Sequence, residues 1–453
     1  MRVIIVGAGI AGLSLAIALA QDKHEVLVLE TASQLAEIGA GVQMTPQAIK
    51  YFFQWGLKED ILAQCIIPER INIKDKDGTM LGVMQMDKIE ELYRAPYIVI
   101  HRASLHDILH RHAVRAGTQL LLESKVVRYD FENGAVELKS GKRLEGDLVI
   151  AADGINSFAR SQLLGPSDPG SQPTGWAALR MMAEVSKIQQ NPATADLVDL
   201  NSYNSNLWIA PDRSCMTYLI KDASILNIVL SHHDDIDMTE LSYEDHKKLV
   251  DELFGDFEHP VQQLLDLSLP RIVNYPVYAV PPLPHWTHSS GRFTLVGDAA
   301  HAMAFYMSMG VSLAVEDAVS LATILNLACP DSGTPSDRKK LKDALAVFEE
   351  VRKRRAGDVQ RASLRAGNSF HVADGKEREA MYRLMRHANE DFEVEEDCLD
   401  KGRNGRDDID CALGGLANKK TRDWCYGYDA VGDVTDAYSL LIKSSSGENG
   451  MMR

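Results

Sequence analysis

Three short stretches of the chain combine residue types and spacings that can hold phosphates and polyols. The first is Gly7-Ala8-Gly9-Ile10-Ala11-Gly12, between an apolar run and a helical pattern. In such a turn the first glycine permits the tight bend and the second lets a pyrophosphate approach the backbone. The third lets helix pack on strand, and the helix N-terminus faces the phosphates. Glu30, at the end of the next apolar run, suits a pair of ribose hydroxyls and would repel a 2′-phosphate. These residues predict dinucleotide binding without telling one dinucleotide from another.

The second stretch, Asp153-Gly154-Ile155-Asn156-Ser157-Phe158-Ala159-Arg160, follows the apolar strand Leu148-Val149-Ile150-Ala151-Ala152. An Asp-Gly after a strand is commonly a plain turn; the added Ser and Arg make the pattern more specific. The third, Gly297-Asp298-Ala299-Ala300-His301, also follows a strand. Asp298 offers a carboxylate to polyol hydroxyls, or caps a turn. Gly310 and Val311 begin a helix that runs through Glu316-Asp317 and directs its positive end beyond the strand. His301 reads as structural in preference to a catalytic base. The run His232-His233-Asp234-Asp235 reads as a solvated turn at a strand end, so no metal site is expected.

These stretches need particular elements to position them. Val3 to Val6, Leu13 to Ala20 and Val26 to Leu29 form a βαβ pattern of two buried strands around a helix. Helical spacing returns over Pro46 to Trp55 and Leu105 to Ala116. Strands are expected over 70–86, with Asp77-Gly78 as their turn, and from Leu120 to Ile150. Alternating runs such as Met216 to Ile220 and Ile225 to Leu230, with a helical interlude over 242–267, predict an inserted antiparallel sheet. A long amphipathic helix is expected over 336–369, then a charged, less regular end that frays from Ser444. The fold class is α/β, a Rossmann-like domain with an inserted sheet domain and a C-terminal helical region. The expected division is 1–175 and 281–330 for the dinucleotide domain, 176–280 for the sheet domain and 331–453 for the C-terminal region.

At 453 residues and 45% hydrophobic, the chain can build large cores. The formal charge of −16 argues against nucleic acid or an anionic membrane surface as partner. Six scattered cysteines without a CxxC pair favour reduced thiols over a disulfide framework. The apolar start is interrupted by Gly7, Gly9 and Gly12 and lacks a cleavage-site pattern, so it reads as strand-turn-helix; no membrane span is expected, and the location expected is cytoplasmic.

The three stretches, in this order, resemble the class A flavoprotein monooxygenases, which have the fold of para-hydroxybenzoate hydroxylase. Within them the chain is similar to the salicylate-hydroxylase-like branch of fungal secondary metabolism. Glu37-Ile38-Gly39-Ala40-Gly41-Val42-Gln43 looks like the segment that runs along the flavin, and Arg102 matches an FAD-contacting arginine. Phe370 to Gly375 and Asp423 to Asp429 look like the tail of this branch. The resemblance implies FAD as cofactor, held by Gly7, Gly9, Gly12, Glu30, Gly41, Val42, Arg102, Asp153, Asp298, Gly310 and Val311. It also implies NADPH or NADH as a transient reductant, with no Rossmann site of its own. O2 would then give a C4a-hydroperoxyflavin that hydroxylates or epoxidises a hydrophobic aromatic or polycyclic small molecule.

Two residues are candidates for managing protons at the substrate. Arg180 matches a substrate-contacting arginine, which could hold a phenolate, and Tyr218 a substrate-facing tyrosine. The plainer readings are an ion pair at the sheet edge and a core tyrosine. Phe305 and Met309 depart from the proline and glutamine usual in the family, which predicts a larger, more apolar wall at the flavin's reactive edge. Two other readings remain: a flavin oxidoreductase of the same fold without oxygen insertion, and a flavoprotein binding module without turnover. The chain is expected as a monomer or homodimer.

Overall fold

The computed structural model describes residues 1–35, 41–235, 242–269, 271–330, 338–373, 375–390 and 414–445. Glu37 to Ala40, Asp374, Cys398 and Cys411 lie outside them. The central sheet is parallel, in the order Phe293–Leu295, Leu148–Ala151, Arg2–Val6, Glu25–Leu29, Gln119–Leu121. Its inner strands are nearly continuous apolar runs, as a sheet covered on both faces requires, and Ile4, Ile5, Val28 and Ile150 are fully buried. A small antiparallel sheet, Arg143–Glu145, Ala135–Leu138 and Val126–Asp130, docks on it through Tyr129 and Phe131 against Phe293.

A second sheet has seven strands, in the order Val273–Ala279, Gln172–Glu184, Ile225–His233, Arg213–Ile220, Asn204–Ala210, Arg70–Asp75, Met80–Gln85. It is antiparallel except where Asn204–Ala210 meets Arg70–Asp75. The inserted sheet expected over 176–280 therefore also takes in the hairpin of 70–85, whose sequence gave the strands but not their partner. The helical interlude is two helices, Tyr243–Phe254 and His259–Asp266.

Two expectations need correction. The run His232 to Asp235 does stand at a strand end, with His233 and Asp235 exposed, but His232 is not part of a solvated turn: it lies inside the strand Ile225–His233. His232 is buried against Asn274, and His233 stacks on Trp176 with ring centroids 4.2 Å apart. The C-terminal region is more regular than its charge suggests, with helices Lys376–Arg386, Lys419–Tyr426 and Ala430–Ser445. Lys376–Arg386 packs on the strand Met80–Gln85 and on the long helix Arg338–Phe370, Lys419–Tyr426 on the helix Pro46–Gln54, and Ala430–Ser445 on Arg338–Phe370, so their apolar stripes are covered by elements distant in sequence. The four cysteines among the described residues are free thiols.

The helix Gly310–Ala328 is long and apolar enough to cross a membrane, yet most of it is buried. It packs between Ile10–Gln21, Arg338–Phe370 and Ala430–Ser445. It carries Glu316 and Asp317, both fully buried. Arg352 donates to Glu316 and to Asp317 at 2.8 Å each, and Arg355 lies 3.4 Å from Glu316. Asp317 also accepts the Gly297 amide at 2.8 Å and the His301 ring at 2.6 Å. Tyr428 and Trp424 cover Arg355, with ring centroids 4.1 and 4.6 Å from its guanidinium. His301 is thus structural.

Burial by itself would raise the Asp317 carboxyl, but His301 and Arg352 hold it down at about 2. A depressed carboxyl contributes its stability above the unfolded value of about 3.9 and loses it as pH falls toward the folded one. Asp317→Asn should lower the unfolding free energy at neutral pH by about 3–5 kcal/mol, because it leaves Arg352 underpaired in the core. In urea titrations the gap between wild type and variant should stay constant above about pH 5 and narrow toward pH 2.

Candidate active site

The glycines of the first motif have different reasons to be there. A Cβ on Gly7, whose φ is +108°, would sit 2.3 Å from the Ala152 carbonyl oxygen, and one on Gly12 would sit 2.0 Å from that of Gly7. Both are fixed by the close packing of strand, turn and helix. Gly9 has an ordinary φ of −71°, and a Cβ there would meet nothing within 4 Å. No neighbouring atom among the described residues requires a glycine at that point, and it opens on a cavity of about 400 Å³. The Glu30 carboxylate accepts the Ala8 and Ala32 amides at 2.9 Å each, which pins the turn.

The second motif holds the third. Ser157 caps the helix Phe158–Leu164 and donates to Asp153, which also accepts the Ala159 amide at 3.1 Å. Arg160, buried, donates to Asp168 at 2.9 Å and reaches the Ala299 carbonyl at 3.2 Å. Gly297, with φ of +61°, leaves room for Ala11, whose Cβ would lie 2.8 Å from any Cβ added there. Motifs distant in sequence are thereby clamped together, with Asp298 facing the cavity. Asp298 is exposed to the cavity interior but ringed by protein; burial raises its carboxyl, while His301 and Arg102 oppose the shift.

The wall opposite comes from the strand Gly41–Met44. Tyr218 donates its hydroxyl to the Gly41 carbonyl at 2.9 Å, and its ring lies so close that a Cβ on Gly41 would approach it to 2.4 Å. Ser308 donates to the Gln43 side-chain oxygen at 2.5 Å, which leaves the Gln43 amide nitrogen buried and without a partner among the described residues. Phe305 lines the cavity as expected. Met309 does not: it is fully buried behind the wall, its sulfur accepting from Thr45 at 3.5 Å and Gln47 at 3.3 Å. The polar partners supplied by Thr45 and Gln47 turn the side chain away, so it does not widen the apolar wall.

Of the residues singled out in the sequence, Gly9, Gly41, Val42, Arg102, Arg180, Tyr218, Asp298, Gly310 and Val311 line this one cavity. Gly7, Gly12, Glu30 and Asp153 are not among the residues that line it. Two helices, Ile10–Gln21 and Gly310–Ala328, present first turns without a side-chain cap to it. Uncapped helix N-termini favour anionic groups, and Gly9 leaves the close approach that a pyrophosphate needs. The donor set thus fits a flavin dinucleotide.

The FAD-binding-domain family profile matches residues 1–342. The FAD-dependent monooxygenase OpS4 of Beauveria bassiana is 28% identical over 437 residues, covering 95% of this chain and 96% of that protein. The 3-hydroxybenzoate 6-hydroxylase of Polaromonas naphthalenivorans is 27% identical, covering 83% and 90%. The solved structure of CtdE in complex with FAD and a substrate superposes with a TM-score of 0.78 at 20% identity, covering 98% of this chain and all of that one. The chain is a class A flavin monooxygenase.

As in other class A flavin monooxygenases, FAD is the cofactor and NADPH or NADH the reductant. Of the other lining residues, Gln43, Phe370 and Tyr426 fall in stretches that carry the family resemblance, where no role was read for them, while Ser308, Leu416 and Ala417 were not singled out as site residues. Gly9→Ala should leave the melting temperature of the apoprotein unchanged and weaken FAD binding about tenfold or more, roughly 1.4 kcal/mol, read by flavin fluorescence titration. Gly12→Ala should instead lower the melting temperature.

Proposed function

We propose that this enzyme uses NADPH or NADH and O2 to place one oxygen atom on an electron-rich aromatic small molecule, the other oxygen leaving as water. The observation that carries this reading is that the flavin-side residues share one cavity with the Arg180 face of the seven-stranded sheet and with Phe305. FAD supplies the reduction of O2 and the electrophilic oxygen. The protein binds and orients the ring and keeps water out.

Arg180 carries the oxyanion of the substrate. No acid among the described residues pairs with it, and its guanidinium rests 5.7 Å from the Tyr275 ring centroid. A guanidinium so placed holds a phenolate or carboxylate and keeps the ring electron-rich. The role of Tyr218 is to position the Gly41 strand. Its hydroxyl proton is committed to a backbone carbonyl, and burial pushes its ionisation up despite the nearby Arg180. The residues that we assign to FAD are Gly9, Gly41, Val42, Arg102, Asp298, Gly310 and Val311, supported by Gly7, Gly12, Glu30 and Asp153.

The test is isotopic. With 18O2 and an acidic phenol such as salicylate or 3-hydroxybenzoate, a substrate-dependent NAD(P)H oxidation should yield a product with one labelled oxygen. Unlabelled product would assign the chain to the non-inserting oxidoreductases instead. Tyr218→Phe should keep the shape of the kcat–pH profile and cost about 1 kcal/mol of stability through the lost hydrogen bond. A profile that loses a limb would return Tyr218 to proton transfer.

A further inference from the structure

The cavity floor is ordered along one direction. In the seven-stranded sheet, Arg180 is directly opposite Val229, Val229 opposite Met216, Met216 opposite Leu207, and Leu207 opposite Ile73. Residues in register on neighbouring strands share a face, and all five line the cavity. The row begins with a cation and continues with four apolar side chains. Four strand-to-strand steps of about 4.8 Å make it roughly 19 Å long, much longer than a single benzene ring.

The far end is closed from outside the span of the family profile, which ends at residue 342. Ile73 is opposite Gly82, where a Cβ would sit 1.9 Å from the Met385 carbonyl oxygen, so the helix Lys376–Arg386 lies directly on that strand. Leu416, which lines the cavity, is tied to the same helix end. Arg422 donates to the Leu416 carbonyl at 3.0 Å and to that of Ala388 at 2.9 Å. A Cβ on Gly414 would meet the Leu384 side chain at 3.0 Å, and the Gly414 amide donates to Ser369 at 3.2 Å. Leu416 is therefore a wall held from both sides.

We propose that the substrate is an amphiphile: an aromatic head with an acidic oxygen held by Arg180, and an apolar tail lying over Val229, Met216, Leu207 and Ile73. Leu416 sets the longest tail that fits. This rests on the oxygen-inserting reading for the head, but the tail and its length come from the sheet.

The experiment measures binding to the FAD-loaded enzyme without reductant, through the change in the visible flavin spectrum. The ligands are 2-hydroxybenzoates carrying an unbranched 6-alkyl group of zero to ten carbons. Kd should fall about fourfold per added methylene and then level off where the chain meets Leu416. Leu416→Ala should move the levelling point to longer chains. Arg180→Met should weaken every member about ten- to hundredfold by one common factor, and Arg180→Lys should recover part of it. Flavin content checks that each variant is folded. A Kd that is flat or rises with chain length would overturn the tail; wild-type affinity in both Arg180 variants would overturn the head. Binding is read apart from turnover, so an unlabelled product in the 18O2 experiment would refute oxygen insertion and leave this series to stand by itself.

Discussion

The structure depends on a cluster of charges that has no access to water. Glu316, Asp317 and Arg352 are fully buried and Arg355 nearly so. Taking any one of them alone into the core would cost several kcal/mol, so each is tolerable only with its partners in place. Because those partners come from the Gly297–His301 loop, two long helices and the Trp424–Tyr428 segment, the cluster fixes how these pieces sit against one another. Asp298 and Gly310, which face the cavity, lie on either side of the loop that this cluster anchors.

Between the anchors, residues 302–309 are held by several independent contacts. Ser308 adopts a left-handed φ of 54°, which costs about 1 kcal/mol or more for a residue with a side chain. Its hydrogen bond to Gln43 offsets that cost and ties the loop to the flavin-side strand. Tyr306 bonds to Ser231, and its ring fills the space above Gly367, where a Cβ would come within 2.3 Å. The loop is thus tied to the sheet, the strand and the long helix together, and Phe305 is presented to the cavity from a rigid base. Rigidity of this kind suits a site that must exclude water.

What could be read from the sequence follows from how local each constraint is. The Gly7–Gly12 turn, the apolar strands and the Gly310–Ala328 helix are specified within a few residues, so their types and roles were legible. The seven-stranded sheet was half legible, because alternation shows a strand but not that residues 70–85 pair with one 130 positions away. His232 looked solvated because its burial depends on Asn274, from a distant strand. Met309 looked like a wall residue because the two groups that bind its sulfur, Thr45 and Gln47, are more than 260 positions away. The Glu316–Arg352 pairing has the same character: each residue is visible, but the pairing is not.

The long helix Arg338–Phe370 explains why the motifs specify the cofactor more closely than the substrate. At one level its Arg352 and Arg355 bind the buried carboxylates. Fifteen residues on from Arg352, about 22 Å along a helix, Gly367 receives Tyr306 and Phe370 lines the cavity. A change at the first level removes a partner from a buried charge and threatens the flavin site itself. A change at the second alters the cavity wall while leaving every charge paired. The two ends of one rigid element are therefore under different constraints. The cofactor end must keep a fixed set of residue types, whereas the substrate end is free to vary with the molecule that it encloses.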